Sequence, residues 1–112
     1  MVFKIMGETD HARSAAAGFV QPAPVDRADG YIHLSAEDQV LETARAHFAG
    51  RNDLVAVAFE AEALGPALRW EASRGGALFP HYYGALPMGL ARGARRLIRR
   101  ADGAFAFAEA LS

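Results

Sequence analysis

The chain opens on an apolar run, Val2-Phe3-Lys4-Ile5-Met6, closed by Gly7. This predicts a short strand that carries one lysine. From Thr9 to Ala17 the pattern turns helical. Thr9 is suited to cap that helix, Asp10 complements its positive end, and Gly18 stops it in the left-handed conformation. Residues 19–30 read as a loop, punctuated by Pro22, Pro24, Asp26, Asp29 and Gly30. Tyr31-Ile32-His33-Leu34 predicts a second strand, in which His33 faces away from Ile32 and Leu34. Ser35, with Asp38 three residues on, makes a capping-box pattern. Val40, Leu41, Ala44 and Phe48 then recur at helical spacing, with Gly50 at the end.

The run Leu54-Val55-Ala56-Val57-Ala58-Phe59 has strand length and no polar position, as a central strand covered on both faces requires. Leu64-Gly65-Pro66 breaks the chain before another candidate strand at Leu68-Arg69-Trp70-Glu71. Two loops of unusual composition follow, Ser73-Arg74-Gly75-Gly76 and Phe79-Pro80-His81-Tyr82-Tyr83-Gly84. A final pair of strands is expected around Leu97-Ile98 and Phe105–Phe107, joined at Asp102-Gly103, a favoured tight-turn dipeptide. Helices and strands mix without strict alternation, so the fold class is α+β rather than a doubly wound sheet. No glycine-rich nucleotide loop is present, which removes the Rossmann and P-loop readings.

Length sets the scale: 112 residues predict a single domain, 1–112. With 52% hydrophobic and 22% charged residues, the chain is an ordinary globular sequence. It has no cysteine, so disulfides, thiolate metal sites and cysteine nucleophiles are excluded. The N-terminal stretch has no signal-peptide pattern and no apolar run suggests a membrane span, so a cytoplasmic protein with no membrane partner is expected. The net charge of −1 argues against a binder of nucleic acid by charge alone, though nucleic acid is not excluded. Eleven of the twelve basic residues are arginine, and Arg92, Arg95, Arg96, Arg99 and Arg100 crowd one stretch. That stretch reads either as a phosphate-binding patch or as a solvated edge strand or helix face.

Candidate chemistry concentrates in three segments. His33 is either satisfied by a backbone carbonyl beneath a sheet or free in a pocket to bond a ligand hydroxyl and move a proton. Glu71 either pairs with Arg69 or Arg74 or acts as a base in the same cleft as His33. His81 lies among aromatics, and Tyr82 and Tyr83 offer flat faces that either stack a ligand ring or plug a sheet end. Ser73-Arg74-Gly75-Gly76 could wrap a phosphate with backbone amides and the Arg74 guanidinium. His33, Glu71 and His81 could in principle form a facial triad, but they lack ligand spacing and no metal is expected. Ser35 and Ser73 lack a nucleophile-elbow context, and helix capping explains Ser35.

The blocks Phe3-Lys4-Ile5, Asp29-Gly30-Tyr31-Ile32-His33-Leu34-Ser35, Gln39, Thr43-Ala44, Phe48-Ala49-Gly50, Arg69-Trp70-Glu71 and Phe79–Gly84 resemble, in order, those of the domain-of-unknown-function family 952. The resemblance implies an ADP-ribosyltransferase-like fold: a split, bent mixed sheet with flanking helices and a cleft between its halves. The His33 block also resembles a motif of the RNA 2′-phosphotransferases, enzymes that pass a phosphate from RNA to NAD. By that likeness NAD is the implied cofactor and His33 faces its cleft, with Glu71 as the candidate catalytic carboxylate. Lys4, Ser35, Arg74, His81, Tyr82 and Tyr83 are the candidate cofactor-binding residues. The sequence departs from that branch at three places. Lys4 stands where a first-strand histidine holds a ribose, Tyr31 replaces the first histidine of the second motif, and Asp29 replaces an arginine. A carboxylate there repels an incoming phosphate.

Three functions are therefore open. One is an NAD- or nucleotide-dependent transferase acting on a small molecule, RNA or protein. In it His33 orients a ribose hydroxyl, Glu71 stabilises developing charge or activates the acceptor, Tyr82 or Tyr83 stacks, and Lys4 meets a phosphate. The second is a nucleotide or small-ligand binding module that has lost the chemistry. The third is a protein-interaction domain that uses the Arg92–Arg100 face.

Overall fold

The computed structural model describes residues 1–111 and, except at residues 74 and 109–111, their side chains. Two antiparallel sheets carry the fold, in strand numbering by chain order. The larger has the order β3-β1-β4-β7-β8 and the smaller β2-β6-β5. The strands are β1 Val2–Gly7, β2 Ile32–His33, β3 Ser35–Ala36, β4 Leu54–Phe59, β5 Leu68–Ala72, β6 Leu78–Tyr82, β7 Ala91–Arg99 and β8 Phe105–Leu111. Helices α1 (Glu8–Ala17), α2 (Pro24–Asp29), α3 (Val40–His47) and α4 (Ala61–Leu64) flank them. The class is α+β. Every pairing among the described strands is antiparallel, where a mixed sheet was expected.

The core follows from strand parity. In β1, Val2 and Met6 join Val55, Val57 and Phe59 of β4 in a cluster completed by Ile32 and Leu34, the layer between the two sheets. Phe3 and Ile5 instead join Leu54 and Ala56, with Val40 and Ala44 of α3 and Phe105 of β8, on the opposite side. Side chains alternate across a strand, so β1 and β4 feed both clusters, which is why neither has an exposed position. The continuous apolar run of residues 54–59 is thus the middle strand of five, as its composition requires.

The elements depart from the sequence pattern where other contacts outweigh the local signals. The α1 helix begins at Glu8 with Gly7, not Thr9, at its cap, while Gly18 ends it at φ 86° as expected. The span 19–30 is not all loop. Pro24 opens α2 at the first helical position, where a missing N–H costs nothing. Ser35 does not cap α3. It pairs with Phe3 in β3, its hydroxyl bonds Thr43 Oγ1 at 3.2 Å, and the helix starts at Val40. Most of the proline-aromatic segment expected as loop is strand β6. Pro80 is tolerated there with its side chain fully buried. The arginine-rich stretch is not an edge, because β7 runs between β4 and β8.

Those arginines are largely held. Arg92 pairs with Glu60 at 2.6 Å and Arg96 with Glu8. Arg95 donates to the Ala108 carbonyl at 2.6 and 2.9 Å and lies over the Phe107 ring. No helix among the described residues is long and apolar enough to cross a membrane.

Phe59 is fully buried where β4 meets the layer between the sheets. Phe59→Ala is expected to lower unfolding free energy by about 3–5 kcal/mol, read from urea denaturation curves. A loss under about 1 kcal/mol would mean that this layer collapses around the cavity and does not define the fold.

Candidate functional site

The cleft is built around one carboxylate. Lys4 points from β1 into the layer between the sheets, where both it and Asp26 are buried, 5% and 2% exposed. The Lys4 ammonium donates to Asp26 Oδ2 at 2.8 Å and to the His33 carbonyl at 3.2 Å. Asp26 Oδ2 also accepts the Ala23 N–H at 2.8 Å, which caps the start of α2. Its Oδ1 accepts the His33 N–H at 3.0 Å and His33 Nδ1–H at 2.7 Å. A single side chain thus joins the large sheet, α2 and β2. Burial alone would raise the Asp26 carboxyl, but the Lys4 charge and hydrogen bond, with the two backbone N–H groups, outweigh it and hold it below its ordinary 3.8.

His33 faces away from Ile32 and Leu34, as its parity predicts. Its Nε2 lies 2.9 Å from Asp29 Oδ2, so both ring nitrogens meet carboxylates of α2. A carboxylate only accepts, so either ring nitrogen that carries a proton has an acceptor waiting for it. Directly across the strand pair, His33 is in register with His81 of β6, on the same face of the sheet. His81 Nδ1–H donates to Glu71 Oε1 at 2.8 Å, and the Tyr83 hydroxyl donates to the same oxygen at 2.8 Å. Those bonds, from His81 and then Tyr83, hold the Glu71 carboxyl low, and the bond to Glu71 raises the Tyr83 phenol. With Nδ1 as donor, the neutral His81 ring carries its lone pair on Nε2. Tyr31 packs over both rings, at centroid distances of 4.1 Å to His81 and 4.6 Å to His33.

Of these groups, Lys4, Asp29, Tyr31, His33 and His81 border a cleft of about 800 Å³. His33, His81 and Tyr31 form one end, and Phe48 and Phe79 contribute apolar wall. Ser35, Gln39 and Thr43 supply hydroxyl and amide groups. Gln39 also ties the cleft together, since its amide donates to the Leu78 carbonyl at 2.7 Å and its oxygen accepts the Ala36 N–H at 3.0 Å.

Of the residues singled out in the sequence, Lys4, His33, Ser35, Ser73 and His81 line this cleft. Glu71 reaches it through His81, and bonds neither Arg69 nor any lining hydroxyl among the described contacts. Tyr82 packs against the layer between the sheets, and Tyr83 stands behind Glu71 with Arg69 over its ring at 4.9 Å. Arg74 lies outside the described side chains. Among the described residues no group of three or more histidines and acids could hold a metal ion. Asp26 stands in the sequence only as loop punctuation, and Asp29 and Tyr31 as departures from the phosphotransferase motif; none of the three is marked there as a site residue. The signal for Asp26 was local: Pro24 followed by an acid at the third helical position and Gly30 at the end marks a helix. Nothing local could pair it with Lys4.

Removing one partner of a buried pair leaves the other charge uncompensated. Asp26→Asn is expected to cost about 3–5 kcal/mol at neutral pH in chemical denaturation. Because the folded Asp26 pKa is depressed, its contribution is present above the unfolded value near 3.8 and is lost as pH falls through the folded value. The stability gap between wild type and Asp26→Asn should therefore narrow below about pH 4, and a pH-independent gap would contradict this account.

Residues 5–92 match the family described as protein of unknown function, DUF952. The fold is close to that of protein CC0527 from Caulobacter crescentus. Its crystal structure superposes with a TM-score of 0.88 at 44% identity, over 94% of this chain and 92% of that one. Its solution NMR structure gives a TM-score of 0.82 at 45% identity, over 92% and 89%. No curated protein matches the chain. The matched stretch contains Asp26, His33, Glu71 and His81, and every residue that lines the cleft except Lys4; the chain belongs to the DUF952 family.

Proposed function

We propose that the cleft binds a small ligand of the nucleotide type and that His33 and His81 move protons on it. The observation that carries this reading is the facing pair of imidazoles, each fixed at Nδ1 by a carboxylate, at one end of a cleft of ligand size. A carboxylate behind a histidine sets its tautomer and aims the other nitrogen, an arrangement suited to acid–base work. The ring centroids lie 5.4 Å apart, close enough for both to reach one reacting group. His81, with its Nε2 lone pair, is the base. His33, between two carboxylates, is the acid or the donor to a ligand hydroxyl.

NAD is the ligand that the family resemblance implies, and the ADP-ribosyltransferase relationship belongs to this proposal with it. The two sheets with a cleft at their junction support it. The roles shift, however. Glu71 acts by positioning His81, and Lys4 serves Asp26 and not a phosphate. Ser35 and Gln39 are the groups left to bond ligand hydroxyls.

A second reading is favoured by one observation. In this structure the His33 nitrogens are both engaged and Tyr31 covers His81, as in a binding module that holds a ligand without acting on it.

The test is thermal shift and calorimetry with NAD, ADP-ribose and mononucleotides on wild type and His33→Ala. A ligand at a hundred times its dissociation constant should add roughly 2.7 kcal/mol to the stability of the wild type and little to the variant. No shift with any nucleotide, on folded protein, sinks the nucleotide reading. Where binding is found, Glu71→Gln separates the two functions. In an enzyme it lowers kcat by about 10²-fold or more with binding retained, whereas no turnover by wild type with any bound nucleotide leaves the binding module.

A further inference from the structure

Tyr31 stands where a ligand ring would be expected. Its ring lies on His81 at 4.1 Å and 24°, a stacked geometry, and it also meets His33 and Tyr83, at 4.6 and 5.3 Å. It is only half-buried. Its backbone lies between two fixed points and belongs to neither. Gly30, with φ 84°, closes α2 immediately before it, and the β2 ladder begins immediately after it at Ile32. A glycine in that left-handed region is a natural pivot. Tyr31 also borders two spaces at once. One is the main cleft, and the other is a recess of about 200 Å³ beside Pro22, Arg27, Gly30 and Gly84.

From this we infer that Tyr31 is a shutter: its phenol holds the stacking place of a flat heteroaromatic ring on His81 and swings toward the recess to admit one. The ligand class this subsite takes is a planar, nitrogen-containing ring such as a nucleobase or pyridine amide. Stacking of one ring on another is tolerant of identity, so a tyrosine and a ligand ring compete for the same face. The shutter rests on the reading of His81 as a proton-transfer group, because it is the His81 ring that opening uncovers. It is tested without a bound nucleotide, so it can fail while nucleotide binding holds, and the converse.

The experiment follows carbethoxylation of His81 by diethyl pyrocarbonate in the full chain, resolved by mass spectrometry, with His11 on α1 as internal standard. If the open state is a minor population of about 10% or less, Tyr31→Ala should raise the His81 rate at least ten-fold, with His11 unchanged. Adenine and nicotinamide at millimolar concentration should slow the variant again, and p-cresol, which replaces the lost phenol, should do the same. The melting temperature should fall by less than about 10 °C, since a shutter contributes little to the core. An unchanged His81 rate overturns the shutter. Protection by p-cresol alone, or by none of the rings, overturns the subsite. If Tyr31→Ala is unfolded, Tyr31→Leu carries the same test, and a failure of both to fold makes Tyr31 a structural plug and overturns the proposal.

Discussion

The buried ion pair between Lys4 and Asp26 is the constraint from which the cleft follows. Two charges in a low-dielectric layer are tolerated only when each is fully bonded. Asp26 meets that demand with four contacts, from Lys4 Nζ, the Ala23 and His33 N–H groups, and His33 Nδ1. Satisfying the charge fixes the start of α2, the height of β2 and the plane of the His33 ring in one step. The same carboxylate thus does structural and functional duty. A pair that is neutral in its energetic balance can still specify geometry, because the alternatives leave a charge unpaired.

The two histidines are held by different logic. His33 is gripped from α2, by Asp26 deep in the layer and by Asp29 at the exposed end of the helix. His81 is gripped from within its own sheet, by Glu71 on the neighbouring strand β5, with Tyr83 sharing the same oxygen. One side of the site therefore depends on how the helix docks and the other on strand register.

How much of this the sequence revealed follows from the range of each interaction. Strand β4, the stop at Gly18 and the turn before β8 were legible because period, glycine and turn chemistry are local. So was the direction of His33, which needs only the alternation of one strand. The Ser35 capping pattern misled because pairing with β1 outweighed it, and the 79–84 segment misled because proline and aromatics look like loop until strands pair on both sides of them. The β6 strand owes its place to β2, distant in sequence, as well as to β5, which precedes it across residues 73–77. The same is true of the site. Lys4 and Asp26 are 22 residues apart and Glu71 and His81 ten, and no pattern in either interval announces the contact.

Strand parity has a genetic corollary. Residues of β1 alternate between two cores, and Lys4 meets Asp26 because it falls on the even side with Val2 and Met6. Point substitutions in this strand act one residue at a time. Insertion or deletion of a single codon inside β1 would exchange the two sets on one side of the change, presenting Phe3 or Ile5 to the Asp26 carboxylate or leaving the lysine against α3. Length in this segment is accordingly under tighter constraint than identity, and variation among related chains should accumulate as replacements within it and as gaps only beyond Gly7.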